Sequence, residues 1–262
     1  MKRFLTGLFA LALLVYPLTS FGRNYTEKQK RILRKEITEA CRHAWNGYKT
    51  YAAGFDALRP VSKSGHNWYP VSMMMTPTDA FDTFVLLGMH KEAKEAEAFM
   101  LSGLNFDLDQ EVQVFEVNIR LIGGLITAYE LTCNCRYGEL AADLGRRLLP
   151  AFSSPTGMPY RFVNLRTGAV RDPENNPAEI GSCLLEFGKL TSITGDSLFY
   201  LTAKRAAMEV FRRRSDLDLI GTIIDVNSGK WLNHECQIGA RLDSYFEYLY
   251  KAWLLFGDTE CL

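Results

Sequence analysis

Apolar residues recur at three- and four-residue spacing over most of this chain, the repeat of helices that bury one face. The spacing predicts helices over about 26–55, 77–99, 111–132, 135–149, 177–193, 196–213 and 238–256. Two starts carry their own punctuation. "TPTDAF" offers Thr76 as an N-cap with Pro77 in the first helical position, and "NPAEIG" offers Asn176 and Pro177 in the same roles. Two linkers break the pattern. "YRFVNLRTGAVRD" has short β-prone runs on either side of "RTG", and "TIIDVNSGKWL" has them on either side of "NSG". Each reads as a β-hairpin carried on a loop.

Long helices joined by ornamented loops, with no alternation of strand and helix, exclude a parallel α/β sheet. The fold class is all-α, built from stacked helical hairpins. A bundle, an open solenoid and a closed α/α toroid all fit this pattern, and no fixed-period repeat of the common solenoid kinds is present.

The first 22 residues read differently from the rest. Lys2 and Arg3 precede an apolar run from Phe4 to Tyr16, and Ser20 and Gly22 suit the −3 and −1 positions of a cleavage site. Residues 1–22 are read as a secretory signal, with 23–262 as the folded domain. The apolar run is shorter than the about 20 residues a membrane span needs. Export to a periplasm, a cell surface or the medium is therefore expected, with no stable membrane span after cleavage.

The chain carries 30 Lys and Arg against 30 Asp and Glu. That balance gives no basic face for a nucleic-acid partner. "RRR" at 212–214 sits at a helix end, where cations favour the dipole. Six cysteines, at 41, 133, 135, 183, 236 and 261, lie beyond the signal. Export would permit disulfides, but their pairing is not legible. "CNC" is too tight for an easy bridge to itself, and Cys41 with His43 makes a weak ligand pair. No cysteine falls in a CxxC or a Cys/His zinc spacing.

The chemistry concentrates at helix starts. "VFEVNIR" places Glu116 and Arg120 four residues apart, on one helical face, ahead of the apolar "LIGGLITAYEL". Alone, the pair reads first as an exposed ion pair and second as a catalytic acid with its positioning arginine. Glu179 opens "AEIGSCLLEFGKL" in the same way, and Arg241 and Asp243 open "GARLDSYFEYLYKAWLLF". Three charged entries into apolar helices suggest one shared acidic pocket. Glycoside hydrolysis needs such a pocket: one carboxylic acid protonates the leaving oxygen and a second carboxylate activates water or attacks the sugar. Crowding raises carboxyl pKa values, and an arginine can hold a neighbour ionised. Tyr245 and Phe246 are placed either to pack on a sugar face or to fill the core.

These stretches resemble glycoside hydrolase family 47, the class I α-1,2-mannosidases. The likeness runs through "AWNGYKTYAAGFDALRPVS" (44–62), "TPTDAFDTFVLLGM" (76–89), "VFEVNIRLIGGLITAYEL" (114–131) and "DLGRRLLPAFSSPTGMPYRFVNLRTG" (143–168). It continues through "NNPAEIGSCLLEFGKLTSITGD" (175–196) and "GARLDSYFEYLYKAWLLFGD" (239–258). The resemblance implies an (αα)7 barrel that removes terminal α-1,2-linked mannose from high-mannose oligosaccharides or glycoprotein glycans, with inversion and with Ca2+. By position, Glu116 resembles the general acid, Arg120 a substrate-contacting arginine, and Asp243 the second pocket carboxylate. Arg241 and Glu179 match sugar-binding positions, and Asp79 and Asp82 are structural or subsite residues.

The family domain is about twice as long as this chain. The expectation is half a barrel, lacking the family's third pocket glutamate and its calcium-ligating threonine, and weak or inactive alone. A separately encoded C-terminal half is one partner this allows. The other reading is a non-catalytic mannose-glycan-binding module.

Overall fold

The computed structural model describes residues 25–262. The signal-peptide reading falls on residues outside these. The chain divides into two units, Met1–Ala44 and Trp45–Leu262. In the first, helix α1 (Glu27–Ala52) begins at a reciprocal cap. Gln29 N–H donates to Thr26 Oγ1 at 3.3 Å, and Thr26 N–H donates to Gln29 Oε1 at 2.9 Å, so each side chain satisfies a backbone donor that the first helical turn leaves open.

The second unit holds the end of α1 and every other element. Helix α2 (Met75–Leu86) pairs with α3 (His90–Gly103), and α4 (114–132) pairs with α5 (Cys135–Leu148). Helices α6 (Pro177–Gly181) and α7 (Leu184–Thr194) pair with α8 (Leu198–Arg212), and α9 (Asp243–Phe256) follows. The row α2, α4, α6/α7, α9 packs neighbour to neighbour, while α3, α5 and α8 back it. This double row is the α/α-toroid arrangement of helical hairpins. Glycines permit the close crossings. A Cβ on Gly124 would stand 2.9 Å from the Thr78 carbonyl oxygen on α2. One on Gly181 would stand 2.6 Å from the Tyr245 ring on α9.

Four of the expected helices differ: two are split and two start late. The 77–99 segment is two helices. Gly88, at a φ of 71°, turns the chain, with Met89 N–H donating to the Phe84 carbonyl and Gly88 N–H to that of Val85. The 177–193 segment breaks between α6 and α7 at Ser182 and Cys183. The 238–256 segment becomes helical only at Asp243. The expected helix at 111–132 begins instead as strand β3 (Glu111–Gln113).

From there α4 runs through 114–132 in three parts: an α-helical turn (Val114–Val117), a π turn (Asn118–Ile122) and an α-helix (Gly123–Thr132). Asn176 caps α6 as expected, its side chain accepting from Glu179 N–H at 3.0 Å. Thr76 does not cap α2. It lies inside the first turn, and its hydroxyl donates to the Asp56 carbonyl at 2.7 Å.

Both expected hairpins are present, and each gains a third strand from elsewhere. Strands β4 (Phe162–Asn164) and β5 (Val170–Arg171) extend β3, with Val112 opposite Val163. Strands β7 (Ile223–Asp225) and β8 (Trp231–Asn233) extend β6 (Glu174–Asn175). A further hairpin, β1 (Ala57–Arg59) with β2 (Ser64–His66), was not expected. The six cysteines are free thiols, Cys183 and Cys261 among the buried side chains. No helix of the described residues is long and apolar enough to cross a membrane.

Candidate active site

Glu116 leaves the core in the first turn of α4, between the buried Val114 and Val117. Arg120 follows within the π turn. Its Nε donates to Glu116 Oε2 at 2.8 Å, and one terminal nitrogen donates to Asp79 Oδ2 at 3.0 Å. One guanidinium thus bridges carboxyls from α4 and α2. Its carbon also lies 4.9 Å from the centre of the Trp68 ring. Burial opposes the Arg120 charge, but hydrogen bonds to Glu116 and Asp79 outweigh it and raise its pKa. Partial burial raises the Asp79 carboxyl above its ordinary value; the Arg120 bond opposes this, and the Asp82 and Glu116 charges add to it.

Glu179, in the first turn of α6, is held by Arg161. That guanidinium donates from Nε to Glu179 Oε2 at 3.1 Å and from a terminal nitrogen to Oε1 at 3.2 Å. The bidentate bond fixes the carboxylate plane. Arg161 also stands 3.5 Å from Asp172. Glu179, Arg241 and Asp243 line one open cavity of about 440 Å³, together with Phe115, the residue beside Glu116. Glu179, Arg241 and Arg161 line a smaller cavity of about 170 Å³.

Arg241 does not open α9; it precedes it with a φ of 80°. That left-handed backbone costs a residue with a side chain roughly 1–3 kcal/mol. Ala178 N–H donates to its carbonyl at 2.8 Å and ties the loop to α6. Among the described residues no carboxylate pairs with the Arg241 guanidinium, which is exposed at the cavity.

A buried polar network runs beneath both groups. Asn118, inside the π turn, donates to the Ser182 carbonyl at 2.9 Å and to Glu186 Oε2 at 2.9 Å. Tyr248 of α9 donates to Glu186 Oε1 at 2.9 Å, and Ser182 donates to Ser244 at 2.8 Å. The turn carrying Glu116 and Arg120 is thereby tied to the helix that carries Asp243. π turns recur at functional sites, where they reset the facing of side chains. Burial pushes the Glu186 carboxyl up to about 7, against the Asn118 and Tyr248 bonds.

The sequence reading placed five residues at a shared pocket. The structure gathers them as two adjoining groups, Glu116 with Arg120 and Glu179 with Arg241 and Asp243, joined through Phe115 and α6. Asp79 belongs to the first group through Arg120. The Asp82 side chain accepts a hydrogen bond from the Thr83 hydroxyl beside it at 3.3 Å. Tyr245 is core, fully buried with its hydroxyl donating to the Ala207 carbonyl at 2.9 Å. Phe246 lines a separate cavity with Met208 and Phe211.

Arg161, Asn118, Glu186 and Trp68 escaped the sequence reading. Their partners lie 18 to 68 residues away, and only Glu186 carries a local signal, as the single acidic residue of its helix. The calcium implied by the resemblance does not fit the donors in hand. Among the described residues no three His, Cys, Asp or Glu side chains converge as ligands.

An inner row of helices with carboxylates at their N-terminal turns, backed by an outer row, defines the class as an α/α-toroid scaffold. The chain belongs to glycosyl hydrolase family 47, whose model matches residues 40–262. It is similar to the Arabidopsis thaliana protein "Alpha-mannosidase I MNS5", 36% identical over 99% of this chain and 49% of that protein. The human "ER degradation-enhancing alpha-mannosidase-like protein 2" is 38% identical over 87% of this chain and 42% of its own length. Among solved structures, an α-1,2-mannosidase from Trichoderma reesei matches with a TM-score of 0.75 and 27% identity, over 84% of this chain and 50% of that one. The chain spans about half the length, or less, of these relatives.

Proposed function

We propose that the protein is an exported, inverting α-1,2-mannosidase that trims terminal α-1,2-linked mannose from high-mannose oligosaccharides or glycoprotein glycans. The observation that carries this reading is the convergence of Glu179, Arg241 and Asp243, from distant stretches, on one open cavity beside the Glu116 turn. Glu116 donates a proton to the glycosidic oxygen. With two carboxyls to one guanidinium, the Glu116–Arg120–Asp79 cluster is net negative when ionised. Asp243 helps activate water, and direct attack of that water inverts the anomeric centre. Arg241 and Glu179 bind sugar hydroxyls, Glu179 being oriented by Arg161. Because the chain aligns with half of a solved toroid, the 262-residue chain alone binds the glycan and releases mannose weakly or not at all.

The test is calorimetric titration of the chain with α-1,2-mannobiose, with mannose release followed in parallel. Saturable binding is expected, weakened about tenfold in Glu179→Ala. Whatever release occurs disappears in Glu116→Gln. Absence of binding at millimolar sugar would overturn the proposal. Binding with no release even when the remaining toroid is supplied would favour the binding-module reading.

Arg241 gives a second prediction. Glycine holds a φ of 80° without strain, so Arg241→Gly is expected to keep folding stability within about 1 kcal/mol of the parent. It should still lose mannobiose affinity about as much as Glu179→Ala does. A large loss of stability on chemical denaturation would show that Arg241 serves the fold instead.

A further inference from the structure

Trp68 combines exposure with immobility. Its side chain is 40% exposed, yet each side of its setting is fixed. Its backbone N–H donates to the buried Asp56 carboxylate at 3.0 Å. The next residue, Tyr69, is tied by its hydroxyl, which accepts from Gln113 N–H at 3.1 Å, just before the Glu116 turn. One face of the indole is covered by Arg120, which Glu116 and Asp79 hold in place. An exposed indole whose position costs no further ordering on binding is the surface on which the C–H face of a sugar ring packs well. Neither Tyr245 nor Phe246 is available for this, the one being core and the other lining a different cavity.

Glu116 is linked to both this ring and the cavity of Glu179, Arg241 and Asp243 through its immediate neighbours. Its neighbour Phe115 lines that cavity, and its partner Arg120 covers Trp68. A proton donor acts at the oxygen joining two sugars, so one sugar lies on each side of it.

We propose that the free face of Trp68 is the binding platform for the second sugar ring, the one across the glycosidic oxygen from the ring held in the Glu179–Arg241–Asp243 cavity. This rests on the proposed function and adds a subsite to it. Trp68 is a specificity-determining contact: it makes the protein prefer a disaccharide to free mannose.

The experiment titrates the 262-residue chain and its Trp68→Ala and Trp68→Tyr variants with α-1,2-mannobiose and, separately, with mannose. Each variant's melting curve is recorded to establish that it is folded. The parent is expected to bind mannobiose more tightly than mannose. Trp68→Ala should lose about tenfold in mannobiose affinity and keep its mannose affinity, while Trp68→Tyr retains most of the preference. If Trp68→Ala keeps the parent's preference, or loses both sugars equally, the subsite is overturned and the proposed function stands. If the parent binds neither sugar, the proposed function falls and the subsite with it.

Discussion

Asp56→Ala is expected to lower folding stability by about 4 kcal/mol, because the side chain serves four donors at once. Asp56 is fully buried. Its Oδ1 accepts from Met73 N–H at 2.7 Å, from the Ser72 hydroxyl at 3.1 Å and from Met75 N–H at 3.3 Å. Its Oδ2 accepts from Trp68 N–H at 3.0 Å. Truncation to Ala leaves three backbone N–H groups without an acceptor, each costing roughly 1 kcal/mol or more when buried. It also removes the cap of α2, whose first residue is Met75 and whose start has no side-chain cap of its own.

Asp56→Asn separates the parts of this effect. With its remaining oxygen at the Oδ1 position it serves Ser72, Met73 and Met75 and loses only Trp68, so roughly 1–2 kcal/mol is expected. Guanidinium denaturation monitored by circular dichroism measures both. A loss below about 1 kcal/mol for Asp56→Ala would show that the 67–75 loop finds other partners. The ordering Ala worse than Asn also separates fold from site, since Asn should release the Trp68 loop while leaving α2 capped.

Periodicity made the helices legible, because burying one face of a helix writes itself into neighbouring positions. Asn176 and the two hairpins were legible for the same reason: their partners lie within a few residues. The breaks were harder. Gly88 looks like any helix glycine until its φ of 71° is known. The split at Ser182–Cys183 lies inside an unbroken apolar run, and the strand β3 is made by its pairing with β4, about 50 residues on.

The same division runs through the site. Glu116, Arg120, Glu179, Arg241 and Asp243 were visible as charges opening apolar helices. Arg161 was hidden in what read as a hairpin. Glu186 sits in "LLEFGKL" as the single acidic residue of a mostly apolar stretch, and that isolation was the one available signal of a buried carboxyl. Trp68 lay outside every expected element. A residue whose role depends on contacts made only after folding leaves no period to read.

Glu186 carries the second large effect, and its sign follows from burial. The residue keeps some exposed surface, but its carboxyl is enclosed by Asn118 of the π turn and Tyr248 of α9. Burial lifts its pKa from 4.5 to about 7; hydrogen bonds from Asn118 and Tyr248 and the charge of Lys251 oppose that lift. Between these values the folded protein holds a proton that the unfolded chain has released. Stability therefore falls as pH rises from about 4.5 to about 7 and levels off above, by roughly 3 kcal/mol from this group.

Glu186→Gln keeps a carbonyl to accept from one partner and an amide in place of the other oxygen, and it removes the charge. The variant should lack this slope, matching the parent within about 1 kcal/mol near pH 4.5 and exceeding it near pH 8. Denaturation midpoints across that range measure it, and parallel curves for parent and variant would refute the assignment. The consequence for the site follows from where the charge appears. Above pH 7 a carboxylate forms behind the turn that carries Glu116 and Arg120 and against the helix that carries Asp243. The structural cost of ionising Glu186 therefore falls on the segment that sets the spacing of the proposed acid and its partner carboxylate.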